Sequence, residues 1–291
     1  MSVAFEEAAG GRRRSVAPAL VGPATILVVL VLVLPMAILF RYSLNQFVPG
    51  QFMVEAVTIA NYVRFFTDIY YINVLWTTVQ VAIACTVISL VLAFPVAYFL
   101  ARTTSRFKSI LVILAVFPLM VGNVVRAAGW MVVLGNDGVV NAVLRWIGLV
   151  EEPVKLLYTP TAVIIGIIAV VLPYMILTLQ SVLEGIDYSV EEAALNLGAK
   201  PSTTFFRIVL PLAMPGVVAG TVLVFILCMN AYATPVLLGG PQFKMMAPAL
   251  YDQIARSTNW PFGAALAFVL MATTLTLTIV STTVMQRRMR R

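Results

Sequence analysis

The residues whose types and spacing point to one physical task lie together between Glu184 and Pro211. Ser189 precedes Glu192 by three positions, the spacing of a capping box, in which a hydroxyl and a carboxylate satisfy the first free amides of a helix. Val190, Ala193, Ala194 and Leu197 recur at i, i+3, i+4 and i+7 and give that helix a narrow apolar face. Gly198 suits the left-handed residue that closes a helix, and Pro201 prevents its continuation. The expectation is a short capped amphipathic helix from about Ser189 to Leu197. The small Ala193 and Ala194 let another surface come close, so the task implied is docking rather than catalysis.

Polar residues inside apolar runs are candidates of a second kind. Arg126 is the one charge inside such a run. At a membrane centre it costs about 2.5–3.5 kcal/mol, so it is expected to face protein or water. With Asn123 nearby it reads either as a pathway or gating residue or as a brace held by carbonyls or snorkelling outward. Asn230 and Tyr232, shortly before Pro235, read either as a break lining a path or as interhelical hydrogen bonding. Trp130 and Tyr174 offer aromatic faces to a cation, though such residues more often serve as packing or interface residues. Pro95, Pro118, Pro173 and Pro235 are expected to kink helices.

Several chemistries are excluded. The chain has no histidine, so a histidine base and a His/Cys metal site are ruled out. Cys85 and Cys228 sit in apolar runs and read as small apolar fillers. No G-x-x-x-x-G-K-[ST] stretch exists to cradle a nucleotide. No nucleophile–base cluster assembles, so the chain reads as no enzyme and binds no cofactor. An ion-coupled secondary transporter is the rival of another class. It would normally need a buried carboxylate or histidine, and no Asp or Glu lies inside an apolar run.

The elements that must position these residues are membrane spans. Of 291 residues 61% are hydrophobic and 11% charged, with mean hydropathy +0.99, against about 25% charged in a soluble domain. Such a surface needs lipid as its solvent. Six runs of sufficient length stand out: 21–40, 76–100, 110–134, 162–183, 217–238 and 262–284. They are expected to be helices, because lipid offers no partner to an open strand. The first run is too long for a signal-peptide core and has no cleavage site after it, so it reads as a retained span. Asn61–Phe66 reads as a short interfacial helix in the first outer loop.

With the N-terminus inside, twelve Lys and Arg fall on inner segments: Arg12–Arg14, Arg102, Arg106, Lys108, Lys200, Arg207, Arg287, Arg288, Arg290 and Arg291. Six fall outside, so both termini and the loops 101–109 and 184–216 are expected to be cytoplasmic. The basic residues sit in short clusters between apolar runs, a pattern of membrane orientation and not of a nucleic-acid surface. The division expected is a tail over 1–20, a membrane domain over 21–284 with its core at 74–284, and a basic tail over 285–291.

The loop also resembles a known family. Glu192, Ala193, Ala194, Gly198, Ile208, Leu210 and Pro211 match E-A-A-x3-G-x9-I-x-L-P, the pattern of ABC importer permeases, at every required spacing. Seven fixed positions would arise by chance in such a chain about once in 10^5 tries. Thr58–Tyr62, Tyr158–Gly166, Thr234–Pro241 and Asn259–Ala265 look similar to the spermidine/putrescine importer permeases. Permeases for ferric iron, phosphonate and opines share parts of these stretches. The resemblance implies an all-α, six-span, type I ABC importer permease fold in the bacterial inner membrane. It implies that 184–211 holds a coupling helix for a cytoplasmic ATPase dimer, with Glu192, Ala193, Ala194, Leu197, Gly198, Ile208, Leu210 and Pro211 as coupling residues. It further implies a second permease, by precedent a paralogue, and a periplasmic solute-binding protein, with ATP and magnesium used by the ATPase. Beside a polyamine cargo an arginine repels, which favours Arg126 as gate or brace over ligand.

Overall fold

The computed structural model describes residues 17–289. The chain opens with α1 (Ala17–Ser43), a hairpin of β1 (Gln46–Val48) and β2 (Gln51–Val54), and α2 (Ala60–Thr67). It continues with α3 (Ile69–Arg102), α4 (Lys108–Val116), α5 (Asn123–Leu134), α6 (Val139–Trp146) and α7 (Pro160–Glu184). Then come α8 (Ser189–Asn196), α9 (Pro201–Thr204), α10 (Leu210–Met229), α11 (Ala233–Leu238), α12 (Met246–Tyr251) and α13 (Trp260–Met289). Among the described residues, six segments are long and apolar enough to cross a membrane. Of the expected tails, residues 1–16 with Arg12–Arg14, and Arg290 and Arg291, lie outside the described residues.

The centre is α3 packed on α7 and α10. Small residues set the spacing there, as expected where lipid supplies no hydrophobic drive and close packing must hold helices together. A Cβ on Gly216 would stand 2.9 Å from Val182 Cβ, and one on Gly220 would stand 2.7 Å from Met175 Sδ. Ala82, Cys85, Ala93 and Ala97 on α3 and Met175, Leu179 and Leu183 on α7 are fully buried between the three. Outside them α13 packs on α10 and on α1, the latter with Phe40 edge-on to Phe268 at 5.2 Å. Leu27, Leu30 and Leu34 of α1 are more than half exposed, as a helix facing acyl chains would be.

Two spans differ from the sequence expectation. The run 110–134 is not one helix. α4 passes into a tight 3-10 turn at Phe117–Met120, where Pro118 lacks the amide an α-helix needs, and α5 restarts after Gly122. The run 217–238 is also broken: α10 ends at Met229, and α11 restarts at Ala233. The helix carrying α10 begins far earlier, at Pro201. α9 runs through a widened π turn at Phe205–Val209, in which the Leu210 amide reaches back to the Phe205 carbonyl. That turn sits just before Pro211, whose ring would otherwise press on the Arg207 carbonyl. The loop expected at 184–216 is therefore only 185–200. Pro95 and Pro173 lie inside continuous helices.

The interfacial helix expected at Asn61–Phe66 is α2. Buried Asn61 ties it to the end of α1 by donating to the carbonyls of Ser43 (2.8 Å) and Asn45 (2.9 Å). The hairpin β1–β2 was not foreshadowed by the hydropathy pattern.

Candidate functional site

The loop between α7 and α9 carries α8, and its start differs from expectation. The Ser189–Glu192 capping box does not form. Asp187 caps instead, its Oδ1 accepting the Ser189 amide at 2.9 Å while its carbonyl accepts the Val190 amide at 3.3 Å. An ionised carboxylate is a stronger acceptor for a free helix amide than a hydroxyl. The Ser189 amide holds the Asp187 carboxyl below the ordinary aspartate value. The C-terminus is as expected. Gly198 has φ +85°, its amide reaches Leu195 O at 2.9 Å, and the Ala199 amide reaches Ala194 O at 3.0 Å. Those two bonds are the Schellman closure.

The faces of α8 are divided differently from the sequence reading. Ala194 and Glu191 turn inward, at 8% and 3% exposure. Val190, Glu192, Ala193 and Leu197 turn outward, Leu197 at 89%. Ala193 and Ala194 therefore do not share a buried face: one packs on the bundle and the other is displayed beside Leu197.

Glu191, which the motif does not single out, anchors the helix. The Tyr98 hydroxyl donates to Glu191 Oε2 at 2.6 Å, and the Arg102 guanidinium pairs with Oε1. Arg102 also donates to the Ile186 carbonyl at 2.9 Å and lies 5.6 Å from the centre of the Tyr188 ring. Tyr98 and Arg102 stand one turn apart at the end of α3. A second tie, Lys108 Nζ to Glu184 Oε1 at 2.9 Å, joins the start of α4 to the end of α7. Phe205, on the π turn, packs edge-on to Phe94 and Tyr98. Ile208, Leu210 and Pro211 belong to this π turn and the helix it feeds, not to the displayed face of α8. Glu191 thus ties α8 to the end of α3, and Phe205 ties the π turn that feeds α10 to the same stretch of α3.

The α10–α11 break lies beside Ile167–Tyr174 in the middle of α7, about 15–25 Å along that helix from its α8 end. A cavity of about 390 Å³ opens beside it, lined by Asn123, Tyr174, Asn230, Tyr232 and Thr234 with apolar neighbours. Asn230 and Tyr232 are in the break rather than within a span, and the Asn230 side chain donates to the Ile226 carbonyl at 2.9 Å. Four of the six polar candidates are thereby brought together. Arg126 and Trp130 do not line that cavity. Arg126 donates to Asn123 Oδ1 from the first turns of α5, and Trp130 packs against the core. Sequence reasoning missed Glu191, Tyr98 and Arg102. Arg102 was legible only as an orienting charge, and Glu191 only as the neighbour of a motif residue.

The fold is of one class: a mostly helical, multi-span membrane fold of the type I ABC importer permease kind. Residues 93–291 match the family described as binding-protein-dependent transport system inner membrane component, and the chain belongs to that family. It is 34% identical over 262 residues to the spermidine/putrescine transport system permease protein PotB of Salmonella typhimurium (strain SL1344), covering 87% of this chain and 88% of that one. PotB of Escherichia coli (strain K12) is 35% identical over 231 residues, covering 79% and 81%. Among solved structures, the fold is similar to that of a chain of a bacterial ABC transporter that imports alginate. The TM-score is 0.75 at 19% identity, over 94% of this chain and 95% of that one. A transport subunit of this family is not itself an enzyme.

Proposed function

We propose that the chain is the permease subunit of an ATP-driven importer of polyamines such as spermidine and putrescine. The observation that carries the energy source is α8, a Schellman-closed helix that leaves Val190, Ala193 and Leu197 exposed among the described residues. An ATPase dimer that uses ATP and magnesium docks there, one subunit to each permease. The positive-inside bias puts α8 and both termini in the cytoplasm. A second permease, a paralogue, completes the path, and a periplasmic binding protein delivers solute at the far end. Closure of the ATPase pair biases the spans toward an outward-open state, and release restores the inward-facing one. The cargo reading is supported by the identity to relatives named for spermidine and putrescine.

The test is uptake of labelled spermidine into proteoliposomes holding the chain, its paired permease, the ATPase and the binding protein. ATP-dependent accumulation that needs all four is expected. Accumulation by the chain alone down an ion gradient would overturn the reading. ATP-dependent uptake of a different solute, with none of spermidine or putrescine, would overturn its cargo.

A further inference from the structure

The end of the bundle away from α8 holds another cavity, of about 370 Å³, which the motifs leave without a role. Its walls include Tyr158, Tyr232, Phe243, Lys244, Asp252 and Arg256. Tyr232 also lines the cavity at the helix break, so the two spaces adjoin across one ring. Three departures from regular backbone converge here. Tyr158 has φ +62°, unusual for a residue with a side chain, and packs on Gly240, where a Cβ would stand 2.9 Å from the Tyr158 ring. Asp252–Arg256 is a π turn, closed by the Ser257 amide on the Asp252 carbonyl at 3.0 Å. The third is the α10–α11 break itself, which positions Tyr232. Backbone of this kind persists where surrounding structure over-determines it, and it gathers at binding sites.

Among the described residues, Asp252 is the single carboxylate lining either cavity. Two cations share it: Lys244 Nζ lies 3.1 Å from Oδ2, and Arg256 Nε lies 3.2 Å from Oδ1. Neither member of the lysine pair is sealed, with side chains 27% and 28% exposed. We propose that this cavity is an ammonium-exchange site, in which a primary ammonium of an alkyl diamine or polyamine replaces Lys244 on Asp252. The exchange swaps like for like, so the charge balance at the carboxylate is unchanged. The flexible lysine stem lets its head move to water. Tyr158, Tyr232 and Phe243 supply aromatic walls that favour an organic cation, and Met131, Val236 and Leu237 take its methylenes. The return of Lys244 then evicts the solute toward Tyr232 and the break. Such a site binds well enough to admit its solute and weakly enough to release it.

This inference rests on the polyamine reading, and the experiment separates their failures. Spermidine uptake at saturating loaded binding protein is measured for the whole complex, with ATPase stimulation as the check on assembly. A wild type that transports neither spermidine nor putrescine defeats the polyamine reading, and this site with it, before any variant is compared. Given wild-type transport, Asp252→Asn is expected to lower the maximal uptake rate about tenfold, the loss of one charge-assisted hydrogen bond. Lys244→Met is expected to match or exceed wild type, because the competitor is gone. Asp252→Glu is expected to retain most of the rate. Wild-type uptake in Asp252→Asn overturns the site. So does an equal fall in Lys244→Met, which would make the cluster a structural ion network. Loss in Lys244→Met with a gain in Asp252→Asn would mark an anion site and also overturn it. If Asp252→Asn does not assemble, the Lys244→Met rate decides by the same criterion.

Discussion

The carboxylate of Glu191 on α8 is ion-paired with the guanidinium of Arg102 at the end of α3, with both side chains largely removed from solvent. The same carboxylate accepts the hydroxyl of Tyr98, 93 residues earlier in the chain. The helix that displays Leu197 on one side is thus fixed by charge on the other, to the helix at the centre of the bundle. Removing one partner of a buried pair strands the other and costs about 3–5 kcal/mol. Glu191→Leu and Arg102→Met are each expected to lower thermal stability in detergent and to abolish uptake. The double variant is expected to recover a good part of the stability, because no charge is then stranded, while uptake stays low because α8 has lost its tie to α3. A double-mutant cycle of melting and uptake checks both statements.

Gly198 makes a different demand. Nothing lies within 4 Å of where its Cβ would be, so space does not require glycine; the φ of +85° does. A β-branched residue in that region costs about 1–2 kcal/mol or more. Gly198→Val is expected to lose uptake while membrane insertion survives, and Gly198→Asn to be milder because asparagine tolerates the left-handed region. Wild-type uptake in Gly198→Val would remove the coupling role from this position.

Leu197 is 89% exposed, so it contributes little to the chain's own packing. Leu197→Asp is expected to leave the melting temperature within about 1–2 °C of wild type, since surface changes are worth about 0.5 kcal/mol or less. Co-purification of the ATPase is expected to fall sharply.

Packing of α7 on α10 can be tested at Gly216. Gly216→Ala would drive a methyl onto Val182, whose branched side chain has little freedom to move. A destabilisation of about 1–3 kcal/mol is expected from such overpacking. Val182→Ala in the same chain is expected to restore much of it, read as the melting temperature in detergent.

The Asp187 cap has a definite pH sense. Its folded value is depressed, so the stability it contributes is fully present above the ordinary aspartate value of about 4. It is lost only as pH falls through the lower folded value. Replacing Asp187 by Asn is therefore expected to leave the shape of the uptake–pH profile unchanged between about pH 5 and 8. A new inflection in that window would show that Asp187 is not in the cap described.

Much of the fold was legible because lipid imposes a simple rule. A run of about 20 apolar residues must be a helix, and four of the six runs identified by that rule hold most of a candidate span. What stayed hidden was the interruption at 117–122, which is as apolar as its surroundings and marked only by Pro118 and Gly122. The one at 230–232 was legible as one of two readings of Asn230 and Tyr232 before Pro235. The closure at Gly198 could be read locally because glycine and the helix period suffice. The cap could not, because Asp187 and Ser189 compete within two residues and acceptor strength decides. Glu191 was beyond local reasoning: its partners are on α3, and no spacing rule links residues so far apart. The gathering of Asn123, Tyr174, Asn230 and Tyr232 around one cavity needed the packing of α5, α7 and the α10–α11 break together.

The most direct measurement is site-specific cross-linking of the displayed face of α8. A Leu197→Cys chain, with Cys85 and Cys228 buried and so shielded from reagent, is treated in membranes with a short bismaleimide alongside the ATPase subunit. Leu197→Cys is expected to yield a permease–ATPase adduct, while Val63→Cys on α2, exposed and distant from α8, is expected to yield none. No adduct at Leu197, or equal adduct at both positions, would contradict the assignment of α8 as the helix through which ATP drives transport.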